Sequence, residues 1–185
     1  SIATSKNSRH SAIIDLKDTN PKGWYNHKIP KGNNFCDAII YEVHVKDFTI
    51  SKTSGTKHRG KYLGFAEKNT NFNGLKTGIS HLVELGVTHV HLLPVYDFYT
   101  VKEEKEEFYR DENYNWGYDP EHYNVVEGSY STRPEDSTNR IKELKQLIMS
   151  LHQVGIKVIL DVVYNHTYKT YDSNFNRIMP KYYHR

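Results

Sequence analysis

The chain has 185 residues, 37% of them apolar and 13% aromatic, the aromatic share being mostly 15 tyrosines; with a mean hydropathy of -0.75 a packed core is possible but lean. Its 25 basic and 22 acidic residues are spread along the chain, and the net charge of +3 is too weak and diffuse to predict a nucleic-acid or membrane partner. No apolar run is long enough to span a bilayer, and one cysteine, Cys36, excludes an internal disulfide framework and slightly favours a reducing, cytoplasmic compartment over a secreted one.

The opening stretch SIATSKNSRHSAIIDL lacks the basic-then-apolar order of a signal peptide, an observation without meaning if the chain starts inside a longer protein. Residues 1–35 hold one short apolar run, Ala12 to Leu16, and then Asn20-Pro21, Gly23, Pro30 and Gly32, which predicts an irregular connector. From Ala38 the run AIIYEVHVKDFT is rich in β-branched and aromatic residues and predicts a buried strand ending near Asp47. After a polar loop, Asn73 is expected to cap a helix whose apolar face is Leu75, Ile79, Leu82 and Val83, stopped by Gly86. VTHVHLLPV predicts a second strand.

The next connection, from Tyr96 to about Ser137, is far longer than a βα loop needs, and loops of that length carry function. An amphipathic helix follows with Ile141, Leu144, Leu147, Ile148 and Leu151 on one stripe, ended by Gly155. GIKVILDVVYNH predicts the third strand. The order β-α-β-α-β with near-continuous apolar strands implies an α/β fold with parallel strands buried on both faces, in a doubly wound sheet or a (β/α)8 barrel. A barrel needs roughly 250 residues and three strands cannot close a cylinder. The expectation is therefore an incomplete (β/α)8 TIM barrel, its first three βα units only, preceded by the connector.

Several side chains invite chemistry. Asp161 lies in an apolar strand, where an unpaired carboxylate is costly, so it either has a buried partner that braces the fold or lines a site. His166 follows the strand's end, the face where barrel sites assemble, and reads either as a ligand for a hydroxyl or carboxylate or as a capping histidine. In the long loop, Gly117 permits a close backbone approach, and Tyr118 beside it reads as a sugar platform or as a plain aromatic staple. Trp116 serves stacking or loop packing. His89 and His91, two apart on a strand, point to one face and could form half of a metal site; their place near the strand's start, without an acidic partner at suggestive spacing, favours packing, as for His44. The run Lys102 to Glu112 reads as a solvated loop face without a role. No phosphate-cradling glycine loop or nucleophile elbow is present, and Cys36 lacks a nucleophile's placement at a strand end.

Two strings carry a resemblance. DVVYNH, Asp161 to His166, resembles the first conserved region of the alpha-amylase superfamily, glycoside hydrolase family thirteen, and YNWGYDP, Tyr114 to Pro120, resembles the signature of type I pullulanases. AIIYEVHVKDFT and THVHLLPVYDF are similar to that family's first two barrel strands, and SRHSAIIDLKDTNPKGW to the connector from an upstream β-sandwich. The resemblance implies residues 1–35 as connector and 36–185 as the N-terminal part of a catalytic barrel. It implies Tyr118 stacking on the glucose of subsite minus one, with Asp119 fixing the loop or a sugar hydroxyl, and His166 binding that sugar's hydroxymethyl. Asp161 would brace the site through an arginine from a later strand. Asn165 matches a calcium position of many amylases; pullulanases often lack that site, and Tyr164 stands where amylases commonly carry alanine, so no metal or other cofactor is assigned.

The implied activity is retaining hydrolysis of α-1,6 links in pullulan, amylopectin and limit dextrins. Its three catalytic acids lie on later strands, so this chain alone is expected to be inactive. The expected partners are the α-glucan and the remainder of the same protein, or a second chain, completing the barrel. An isoamylase-type enzyme and a non-catalytic glucan-binding piece are the alternatives.

Overall fold

The computed structural model describes residues 2–32 and 34–184. Past a connector of short 3-10 turns come β1 (Ile40–Val43), α1 (Val45–Ile50) and α2 (Tyr62–Ala66), then a hairpin of β2 (Asn71–Phe72) and β3 (Leu75–Lys76) before α3 (Gly78–Glu84). β4 (His89–Leu92) enters the long loop, which returns through α4 (Ser137–Gln153) to β5 (Lys157–Leu160) and the short α5 (Asn174–Ile178). Among the described residues no helix is long and apolar enough to cross a membrane.

β1, β4 and β5 form one parallel sheet in that order. Val43, Leu92 and Leu160 lie side by side, and Glu42, His91 and Ile159 form the row before them. Because strand side chains alternate with period two, Tyr41, Val43, Val90, Leu92, Val158 and Leu160 share one face and join the core with Ile79, Leu82, Leu144, Leu147 and Leu151 from the helices. The other face carries Ile40, Glu42, His89, His91, Lys157 and Ile159. Burial on both faces was expected; here Ile40 is 56% exposed, and the second face is only partly covered. The parallel sheet with helices packed on one side is the architecture of part of a TIM barrel.

α4 is the strongest local element. Asp136 accepts the amides of Thr138 and Asn139, each at 3.0 Å, a cap worth about 1 kcal/mol. Ile141, Leu144, Leu147 and Leu151 are buried, with Ile148 packed beside them, and full burial of Leu147 alone contributes roughly 1.5–3 kcal/mol. Gly155, at φ 83, ends the turn as its sequence position predicts.

Two expected elements change form. The first strand stops at Val43 rather than near Asp47, because Nδ1 of His44 accepts the Asp47 amide and starts α1; the cap outweighs the β-branched character of Val45 and Thr49. His44 is thus a helix cap just past the strand's end, and its buried ring packs against Tyr114 and Tyr130 as a packing residue would. Asn73 does not cap a helix. Asn73 and Gly74 have φ 51 and 81, both positive, as a tight hairpin turn requires, and they join β2 to β3. Leu75 and Val83 are exposed, and α3 begins only at Gly78.

Candidate functional site

The connection after β4 is long yet folded back on itself. Isolated antiparallel bridges join Tyr96 to Val126 and Phe98 to Pro120, and the Asp97 amide donates to Val125 while that of Glu127 returns to Val95, at 2.8 and 2.9 Å. These pairs satisfy backbone groups that a free loop would leave to water. At its tip Gly117 has φ 93, and a Cβ there would lie 2.9 Å from both Cβ and O of Pro94. Only glycine lets the tip press so closely onto β4's exit.

Asn115 and Asp119 hold the two sides of that glycine. Oδ1 of Asn115 accepts the Gly117 amide at 2.6 Å, and its Nδ2 donates to Asp119 Oδ1 at 2.7 Å. Asp119 Oδ2 accepts the amide and the hydroxyl of Thr100, at 3.0 and 2.7 Å. The Asp119 carboxylate is therefore committed to the loop.

Tyr118 stands between these fixed residues and reaches the carboxyl end of the sheet. Its phenol donates to Oδ2 of Asp161 at 2.8 Å, and Nε2 of His166 donates to the Tyr118 carbonyl at 2.8 Å. Burial and then the Asp161 carboxylate push the phenol up to about 12, so it remains a donor at neutral pH. The His166 carbonyl accepts the Tyr123 hydroxyl at 2.8 Å. Tyr118 and His166 are both solvent-facing, the tyrosine 40% exposed. The result is an open aromatic face with a carboxylate and an imidazole at its edge, suited chemically to one apolar face and the hydroxyls of a sugar.

Of the other expected site residues, Trp116 is 62% exposed on the same loop. Asn165 is exposed and takes no part in these contacts. Asp161 lies just past the last residue of β5, its amide donating to Leu92, and its carboxylate accepts a hydrogen bond from Tyr118. The placement of His91 corrects the sequence reading: its Nε2 is 3.8 Å from Asp161 Oδ2 and its Nδ1 3.7 Å from Glu42 Oε2, so it faces the site end with acidic neighbours. Spacing within one strand could not reveal partners supplied by two adjacent strands.

Comparison with known proteins bears on the identity of this arrangement. The model of the alpha-amylase catalytic domain matches residues 15–181. The chain belongs to the alpha-amylase family. It is 50% identical over 150 residues to a pullulanase of Bacillus subtilis, covering 80% of this chain and 20% of that protein. It resembles the pullulanase structure from Bacillus acidopullulyticus with a TM-score of 0.92 and 48% identity, over 100% of this chain and 22% of the other. The pullulanase of Paenibacillus barengoltzii in complex with maltohexaose and alpha-cyclodextrin gives a TM-score of 0.90 at 48% identity, over 98% and 28%. The chain thus spans about a fifth of the length of the curated relative named first.

Behind the open face, this amylase-family chain buries a charged anchor that the sequence reading missed. Arg140 is fully buried and grips Glu103 with two contacts, Nη1 to Oε1 at 3.1 Å and Nη2 to Oε2 at 2.9 Å. Glu103 is itself 3% exposed, so the acidic run is not simply a solvated face. Glu103 and Phe108 are buried, whereas Lys102, Lys105, Glu106 and Tyr109 are exposed. Glu103 also accepts the Asn7 amide, and Asp97 accepts the Ser8 hydroxyl at 2.5 Å and pairs with His122 Nδ1 at 2.6 Å. The anchor ties the connector, the loop and α4 together.

Two sets of ligand atoms in this anchor lie within 4.8 Å of one another, Asp97 with Glu121 and His122, and Asp97 with Glu103 and Glu127. These are the described residues that could hold a metal ion. The Glu127 oxygens accept the amides of Ser129 and Phe98, while burial, then the Glu103 and Asp97 charges, push Glu127 up to about 8, which keeps it protonated at neutral pH and lowers the anchor's negative charge.

Proposed function

We propose that this chain is the opening part of the catalytic barrel of a starch-debranching glycoside hydrolase of the pullulanase type, which cleaves α-1,6 links in pullulan, amylopectin and limit dextrins with retention. Residues 1–35 act as the connector from an upstream β-sandwich. Residues 36–185 supply the first three βα units of an eightfold barrel, and the rest of the same protein or a second chain completes it. The observation that carries the reading is the convergence of Tyr118, Asp161 and His166 at the carboxyl end of the sheet, the end where barrel active sites assemble.

In this reading the Tyr118 ring stacks on a single glucosyl residue while His166 donates to its hydroxymethyl oxygen, exchanging its bond to the Tyr118 carbonyl for one to the sugar. Asp161 holds the phenol at the ring's edge, Asp119 holds the loop, and Trp116 extends the apolar surface. Retaining hydrolysis needs two carboxyls about 5 Å apart, one to attack the anomeric carbon and one to protonate the leaving oxygen. Asp47, Asp97 and Asp161 are not assigned those roles: Asp47 accepts the Tyr114 phenol and Asp97 is buried in the anchor.

The test is pullulan hydrolysis by the full-length protein beside the 185-residue chain. Release of maltotriose by the former and none by the latter is expected. A full-length protein that debranches amylopectin but leaves pullulan intact would move the assignment to the isoamylase type. Cleavage by the 185-residue chain alone would overturn the division of roles.

A further inference from the structure

We infer that His91 is a positioning residue for the Asp161 carboxylate, and through it for Tyr118. The inference rests on the sugar-gripping role of Tyr118 proposed above and adds what aims that tyrosine. Glu42 and His91 are paired across β1 and β4 and share the open face of the sheet. His91 Nδ1 lies 3.7 Å from Glu42 Oε2, and its Nε2 lies 3.8 Å from Asp161 Oδ2. That oxygen is the one that accepts the Tyr118 phenol.

Both distances exceed a direct hydrogen bond, so the imidazole acts through an N–H dipole directed at the carboxylate or through a bridging water. The His91 and Asp161 side chains are 27% and 23% exposed, whereas that of Glu42 is 64% exposed. Solvent therefore screens the Glu42 contact far more than the Asp161 contact. A carboxylate attached through one rotatable bond can turn either oxygen toward the phenol; a donor on β4 favours the rotamer that presents Oδ2 to the loop. Losing it lets Asp161 turn and the Tyr118 ring drift, and small misplacements of a positioning group are costly in rate.

The experiment uses the full-length protein, with maltotriose binding by calorimetry and pullulan hydrolysis as readouts. His91→Phe keeps an aromatic ring and removes both nitrogens; it is expected to lower maltotriose affinity and kcat/KM severalfold, by no more than Tyr118→Phe does. His91→Gln, whose amide still donates toward Oδ2, is expected to recover most of the loss, and Glu42→Gln to change either value less than twofold. In a Tyr118→Phe background the His91→Phe effect should largely vanish, because the bond it organises is gone. Unchanged kinetics in His91→Phe, equal damage from Gln and Phe, or an undiminished effect in the Tyr118→Phe background would each overturn the inference. Tyr118→Ala separates the two claims: if it leaves maltotriose affinity intact, the role of Tyr118 itself fails, whereas if it weakens binding and His91→Phe does not, only the positioning role fails.

Discussion

The phenol of Tyr118 and the carboxylate of Asp161 meet at 2.8 Å across 43 positions of sequence. One belongs to a loop tip pinned by Asn115 and Asp119 and the other is the first residue past a half-buried strand, so the contact ties the loop tip to the sheet. For this reason the ring can be aimed although 40% of its residue is exposed.

Separating the ring from its hydroxyl tests that coupling. In the full-length protein Tyr118→Ala should weaken maltotriose binding about tenfold through lost stacking. Tyr118→Phe keeps the ring and loses only the bond to Asp161, so a smaller, severalfold loss is expected. Equal losses in titration calorimetry would mean that the ring does not touch sugar.

Gly117→Ala addresses the loop tip. The new Cβ would sit 2.9 Å from Pro94 at a φ of 93, which costs on the order of 1–2 kcal/mol in backbone strain and pushes Tyr118 off its line. The expected signature is a loss of kcat/KM on pullulan several times larger than the change in unfolding midpoint would suggest. A variant with wild-type kinetics would show that the tip's approach to Pro94 is dispensable.

The Arg140–Glu103 pair should dominate the stability of the anchor. Arg140→Met leaves Glu103 buried without its cation, a loss of about 3–5 kcal/mol. Glu103→Gln, which keeps the shape, should cost less than Arg140→Met, and the double variant should recover part of the loss. Urea unfolding of the full-length protein and its variants measures all three, and additive single effects would argue against a coupled pair.

Glu127 makes the anchor sensitive to pH in a definite direction. Its folded-state value is raised from 4.5 to about 8, so between those values the native state holds a proton that the unfolded chain has released. Its contribution is full below 4.5 and is lost as pH rises through about 8. His122 acts with the same sign, since the Asp97 bond and charge raise it against its burial. Lys61, lowered by burial to about 7, opposes them only above that value. His44 and His152, lowered by burial, oppose them below the usual histidine value of 6.5. The test is therefore a difference: as pH is raised from about 5 toward about 7 the unfolding midpoint should fall relative to that of Glu127→Gln, and parallel curves would contradict the assignment.

Much of the scaffold was legible from pattern. The stripe through Ile141, Leu144, Leu147 and Leu151 located α4, Gly155 its end, and the apolar runs around Val90 and Val158 their strands, because burial of one face imposes a period that survives in the residues. The hairpin at Asn73-Gly74 was misread, since an asparagine before an apolar residue signals a helix cap and a turn equally well. Glu103 was missed for another reason: in a charged run, the one glutamate that turns inward is chosen by an arginine 37 residues away.

Taken alone, the amino-acid order located the three strands of the main sheet and α4, implied from the strands' apolar runs and alternation with helices that they run parallel, and carried the two short strings that resemble a known enzyme family, since the residues that form each of these lie within one segment. Only the tertiary structure decided that Tyr118 meets Asp161, that His91 turns toward Asp161 and Glu42, and that Asp119 is occupied by Thr100 and Asn115. Those contacts join β4, β5 and a loop tip whose separation in sequence is large, and the backbone pairing that brings them within a few ångströms leaves no signature in local composition.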